Sequence, residues 1–167
     1  MRQRSQRKLL GNAARIGHWA DMEIRTEIEI NAPAEKVYQV LVNFAAYPEW
    51  NPVITKINGA PYVGEKISFN IRAMPGIEVP IAACEILVAN AAMKELRWKG
   101  PAIPIASDIL SGEHFFIAQE ISPQKTRFLH GEDFTGLAAG ALKPLLEQRL
   151  TESYNEMNRA LKSRCEG

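Results

Sequence analysis

Between Glu23 and Pro52 the order of residues leaves few folds open. Glu23-Ile-Arg-Thr-Glu-Ile-Glu-Ile30 alternates strictly, with Ile24, Thr26, Ile28 and Ile30 set against Glu23, Arg25, Glu27 and Glu29. That is the pattern of a strand with one buried face. Asn31-Ala32-Pro33 interrupts it, and Pro33 suits the first position of a helix, where a missing N–H costs nothing. Val37, Val40, Leu41 and Phe44 then recur at helical spacing as one apolar stripe. Pro48 and Pro52 bracket Trp50, so the chain leaves the helix through a stiff corner that carries a large aromatic.

After Pro52 the pattern turns to strands. Asn58-Gly59 and Gly64 separate a short strand from one in which Ile67, Phe69 and Ile71 alternate with Ser68, Asn70 and Arg72. Pro75-Gly76 is a turn into a long strand through Val79, Ile81 and Val88, and Asn90-Ala91-Ala92 turns again. Leu96 and Trp98 share a face opposite Glu95, Arg97 and Lys99, and the stretch from Pro101 to Pro104 breaks regular structure. A strand is expected from about Ile109 to Ile121, and Ser122-Pro123-Gln124 leads into a last strand, Lys125 to Thr135. Leu142, Leu146, Leu150, Tyr154, Met157 and Leu161 mark the apolar stripe of a long terminal helix, in which Pro144 is tolerable only in the first turn.

Composition narrows the classes. With 167 residues, 46% hydrophobic and 23% charged, the chain is read as one globular domain. No apolar run reaches the length of a bilayer span, and a net charge of +1 gives no case for nucleic acid or an anionic membrane. Cys84 and Cys165 lack metal-ligand or redox spacing and read as free thiols of a reducing, cytoplasmic compartment. Residues 1–21 hold five of the 20 basic residues and one of the 19 acidic ones, so the remainder carries 15 against 18, a net of −3. They are expected to form a disordered basic leader, with 22–167 as the single domain.

Strand, proline, helix and aromatic corner in this order resemble the opening of the START-like (SRPBCC) superfamily, which includes the polyketide cyclase/dehydrase and lipid-transport type domains. The Gly112-x-His-x-Phe116 and Glu132-x-Phe-x-Gly136 runs are similar to the last two strands of that group. An α+β layering follows from the element order itself. The resemblance implies a helix-grip fold: a curved antiparallel sheet of about seven strands, wrapped around the C-terminal helix, with one or two short helices after strand 1 and a cavity between sheet and helix.

Nucleotide loops, a nucleophile elbow and a zinc-protease motif are all absent, and neither a cofactor nor a metal site is expected. The chemistry concentrates in the last two strands. A turn at 122–124 that pairs Ile121 with Lys125 sets His114 opposite Glu132, and Phe116 opposite His130, close enough for a hydrogen-bonded pair. Three readings of His114 and Glu132 stay open: a structural cross-strand pair, a polar anchor for a ligand, or an acid–base pair in catalysis. The expected ligand-lining set joins them to Phe69, Ile71, Trp98, Phe116, His130 and Phe134 on the sheet, Leu142 and Leu146 on the helix, and Trp50 at the corner. The resemblance adds Tyr47 and Asn51 at the rim. The expected partner is a hydrophobic small molecule or lipid that is bound, transported or sensed. The alternatives are a cyclase- or dehydratase-like enzyme on a polyketide or aromatic substrate, and a co-chaperone or stress-response module working through the outer sheet face.

Overall fold

A computed structural model describes residues 22–101 and 106–167; the expected leader at 1–21 lies outside them. Strand β1 (Met22–Ile30) buries Met22, Ile24 and Ile30 and exposes Glu23, Arg25, Glu27 and Glu29, as its alternation requires. Helix α1 (Ala34–Val42) follows. Pro33 stands one residue before the helix, and its carbonyl accepts the first helical bond from Val37 N–H at 3.2 Å. A 3-10 turn (Phe44–Ala46) and a single turn α2 (Tyr47–Trp50) make the corner. Tyr47 is fully buried there and its hydroxyl donates to the Leu41 carbonyl at 2.8 Å. Asn51 Oδ1 accepts from Val53 N–H and Ile54 N–H at 2.9 and 2.8 Å, which turns the chain into the next strand. Both residues hold the corner together.

Strands β2 (Ile54–Asn58), β3 (Lys66–Met74), β4 (Ile77–Asn90), β5 (Glu95–Gly100), β6 (Ser111–Ser122) and β7 (Lys125–Thr135) run in sequence. The seven-stranded sheet has the order β1-β7-β6-β5-β4-β3-β2, every neighbouring pair antiparallel. The first strand therefore pairs with the last, and the connection through α1 and α2 carries the chain to the opposite edge. Twist and irregular register in β3 and β4 curl the sheet into a half-barrel. The concave face holds the long helix α4 (Ala139–Glu166), which lies chiefly along β1. A short helical turn α3 (Ala106–Ile109) occupies the start of the strand expected from about Ile109.

The main core joins α1, the corner, the concave face and the C-terminal half of α4, where Met157, Leu161 and Cys165 are buried. A second cluster of Met22, Ile24, Phe134, Ala139 and Tyr154 has only half-buried Leu110, Leu146 and Leu150 packed against it. The stripe of α4 is thus fully used in its second half and partly used in its first. Helix α4 also begins five residues before Pro144, so the proline sits inside the helix and the Gly140 carbonyl lacks its usual N–H partner. Leu146→Ala is accordingly expected to cost about 1 kcal/mol in a urea melt, below the roughly 2–5 kcal/mol typical of a buried leucine. A loss above about 2 kcal/mol would show that Leu146 is buried in solution.

Candidate functional site

The polar centre of the concave face is a chain of hydrogen bonds whose direction is set at one end by a group that can only accept. His114 lies directly across from Glu132, and His130 lies across from both Phe116 and Thr26. The hairpin is tighter than its spacing suggested: Ser122 pairs with Lys125, and an irregularity between Glu120 and Ser122 restores the register before His114. Thr26 Oγ1 donates to the His130 carbonyl at 3.0 Å, which commits its only proton. Asn158 Nδ2 then donates to Thr26 Oγ1 at 2.9 Å, and Asn158 Oδ1 accepts from His130 Nδ1–H at 2.7 Å. His130 Nε2 is left as the acceptor, so His114 Nε2–H donates across the 2.8 Å contact between the rings. On its other side His114 Nδ1 is 3.3 Å from Glu132 Oε2, and the Tyr154 hydroxyl donates to that same oxygen.

Electrostatics agree with this assignment. Burial, and then the neighbouring His114, hold the His130 pKa well below the ordinary histidine value, so the ring stays neutral. Burial and the Glu132 charge push the Tyr154 phenol up, so it remains a donor.

Close approach seats the carboxylate. A Cβ at Gly112 would collide with Glu132 Oε1, and one at the paired Gly100 would collide with the Cys84 thiol. Only glycine leaves room for both groups. Burial, followed by the Glu132 charge, pushes the Cys84 thiol up to about 11, so it is a neutral neighbour. The Glu132 side chain keeps 18% of its surface exposed and no described residue donates to Oε1.

The structure brings most of the expected residues together. The Trp98 ring stacks on His114 with centroids 5.1 Å apart, and also meets Phe116 and Phe69. Phe134 and Leu146 flank Tyr154 in the second cluster. Trp98, Phe116, His130 and Phe134 are buried, whereas Ile71, Leu142 and Leu146 are half-buried and stand farther out. Trp50 is apart from the group: it packs on Tyr47, beside the Glu49–Arg164 ion pair, and Arg164 lies ten residues, about 15 Å, along α4 from Tyr154. Tyr154, Asn158 and Thr26 were missed as site residues. The available signal was an asparagine four residues after Tyr154 on the apolar stripe, a position that a core side chain does not need.

An open cleft of about 880 Å³ lies between the ends of β5 and β7, α3 and the start of α4, lined by Lys99, Ser107, Asp108, Thr135, Gly136, Leu137 and Gly140. None of the expected ligand-lining residues borders it, and it lacks the histidine–carboxylate centre. Among the described residues no group of three or more His, Cys, Asp or Glu could hold a metal ion, and no helix is long and apolar enough to cross a membrane.

Comparison with known proteins fits this architecture. The fold is similar to the ZhuI aromatase/cyclase of Streptomyces sp. R1128, with a TM-score of 0.69 at 15% identity over 87% of this chain and 93% of that one. A START superfamily protein from Mycobacterium smegmatis matches with a TM-score of 0.67 at 19% identity, over 86% and 97% of the two chains. A protein from Thermus thermophilus gives 0.67 at 18%, also over 86% and 97%. At these identities the likeness is one of fold. No curated protein matches the sequence. The model of the polyketide cyclase/dehydrase and lipid transport family matches residues 21–166, and the chain belongs to that family.

Proposed function

We propose that this domain binds a hydrophobic small molecule between the concave face of the sheet and the first half of α4, with Glu132 as its polar anchor. The observation that carries the reading is the largely buried carboxylate, fixed through Oε2 by His114 and Tyr154 while Oε1 has no described donor. Ile71 and Ile81 on the sheet and Leu142, Leu146 and Leu150 on α4 are only half-buried, although all are apolar. A few placed polar groups among apolar walls are the usual make-up of a small-molecule site. Burying about 300 Å² of ligand would gain roughly 7 kcal/mol, and association costs bring the affinity to the micromolar range.

Titration with the fluorescent probe N-phenyl-1-naphthylamine tests this. Micromolar binding is expected, weakened about tenfold or more, about 1.4 kcal/mol, by Leu146→Trp, which narrows the space beside Phe134. No fluorescence gain with the unmodified protein, or equal affinity in the variant, would overturn the reading. Failure to bind would favour a module acting through its outer face, since Trp98, Phe116 and Phe134 already pack as core. The contact between His114 Nδ1 and Glu132 Oε2 favours a second reading, acid–base catalysis on the bound molecule, which requires a substrate turned over by the unmodified protein and not by Glu132→Gln.

A further inference from the structure

We infer that the site selects apolar molecules carrying a hydrogen-bond donor, a hydroxyl above all, and discriminates against their carboxylate and ether counterparts. The inference rests on the proposed binding reading and specifies the ligand class of that same site. It follows from counting protons along the network. Thr26 has spent its proton on the His130 carbonyl, and Asn158 binds Thr26 through Nδ2 and His130 through Oδ1. His130 Nδ1–H goes to Asn158 and His114 Nε2–H goes to His130. His114 Nδ1 faces Glu132 Oε2, so a proton carried by either atom lies inside that contact, and the Tyr154 hydroxyl is committed to the same oxygen. Each donor in the network already has an internal acceptor. Among the described residues the open valence is an acceptor, Glu132 Oε1, lying over Gly112.

A ligand hydroxyl can complete that valence. An ether oxygen meets a lone pair with a lone pair, and a carboxylate adds a like charge. Sites that hydrogen-bond a ligand hydroxyl reject the analogue lacking it strongly, because a buried polar group is then left without a partner. An ionised carboxylate has only acceptors to offer, whichever way it turns.

Replacing Glu132 by Gln inverts the valence. Tyr154 continues to donate, so the amide oxygen must take the Oε2 position, and the amide NH2 then occupies the position of Oε1. The preferred ligand should change from a donor to an acceptor.

The experiment uses three compounds of one ring system, 2-naphthol, 2-methoxynaphthalene and 2-naphthoate, titrated by isothermal calorimetry at about pH 7.5 into the full chain and into Glu132→Gln. The unmodified protein is expected to bind 2-naphthol at least about tenfold more tightly than either analogue, about 1.4 kcal/mol. In Glu132→Gln the order of 2-naphthol and 2-methoxynaphthalene should reverse or close to within threefold. Affinities of the three compounds within threefold of one another in the unmodified protein, or tightest binding of 2-naphthoate, would overturn the inference and leave binding itself intact. Absence of binding by all three would overturn both. If Glu132→Gln does not fold, judged by circular dichroism, the ranking in the unmodified protein alone decides. A variant that folds and keeps the tenfold preference for 2-naphthol would show that another residue reads the hydroxyl, and would also overturn the inference.

Discussion

Trp98→Ala is expected to cost about 3–5 kcal/mol of stability, the largest effect of any single truncation considered. The indole is 2% exposed. It lies between Ile86 of β4 and His114 of β6 in register, so it spans the middle of the concave face. Its ring is stacked on the His114 imidazole at 13° between planes, set edge-on to Phe116, and tilted against Phe69. Truncation removes the packing of all three neighbours and leaves a cavity under the histidine network, where α4 covers the sheet and collapse is hindered. A urea melt reads the loss as a lower midpoint at constant slope. The result also separates two roles for this residue. A tryptophan standing on an open wall would lose about 1–2 kcal/mol or less on truncation and would change probe affinity instead. A loss below about 2 kcal/mol would therefore overturn its placement in the core.

The same residue shows what the sequence could and could not tell. Alternation placed Trp98 with Leu96 on one face, and the turn before Lys125 brought His114 to Glu132, because strand registers propagate with period two from a single fixed point. That reading survives a wrong turn: the irregularity near Glu120 absorbs the one-residue difference between the expected and observed hairpins. The sheet half of the polar centre was legible for this reason. The helix half was not. An apolar stripe says which side of α4 faces inward, but it does not say which residue meets which strand, since that depends on the axial position and rotation of the whole helix on the sheet. Tyr154 and Asn158 lie four residues apart on the inward face, and only docking aligns one with Glu132 and the other with His130.

The same gap explains the uneven stripe. Sequence spacing gave Leu142, Leu146 and Leu161 equal standing, yet Leu161 is fully buried and the first two are half-exposed. Arg149 of α4 donates to the Ala73 carbonyl at 2.6 Å, next to the end of the β3–β4 hairpin where Met74, Ile77 and Val79 are exposed. How widely a half-barrel opens depends on accumulated twist, which no local pattern encodes. Trp50 stands away from His114 and Glu132 for a related reason. The bracketing prolines correctly marked a corner, but the sheet order sends that corner to the far end of α4, beside Arg164.

Acid is expected to destabilise the domain from about pH 6.5 downward through His130. The ring is fully buried, neutral, and held by Asn158 Oδ1 on one side and by His114 Nε2–H on the other. Its folded pKa is depressed, first by burial and next by His114. An unfolded histidine titrates near about 6.5, so below that value the unfolded chain takes up a proton that the folded chain refuses. The unfolded state then binds more protons, stability falls as pH falls, and the slope approaches about 1.4 kcal/mol per pH unit. By about pH 4.5 the loss reaches about 2.7 kcal/mol relative to about pH 8 for as long as the folded ring stays neutral. Protonating it in place would set two Nε2–H groups against each other, a cost that the Asn158 and Tyr154 backbone contacts offset only in part. His130→Gln removes this titration while keeping a group that can hydrogen-bond both neighbours, and contributions from the surface carboxylates cancel between the two proteins. Urea melts of both from about pH 8 to about 4.5 should therefore diverge, with the unmodified protein losing up to about 2.7 kcal/mol more than the variant. Parallel curves would mean that His130 accepts a proton without leaving the fold. The direction of the hydrogen-bond chain, and the ligand preference that follows from it, would then have to be reversed.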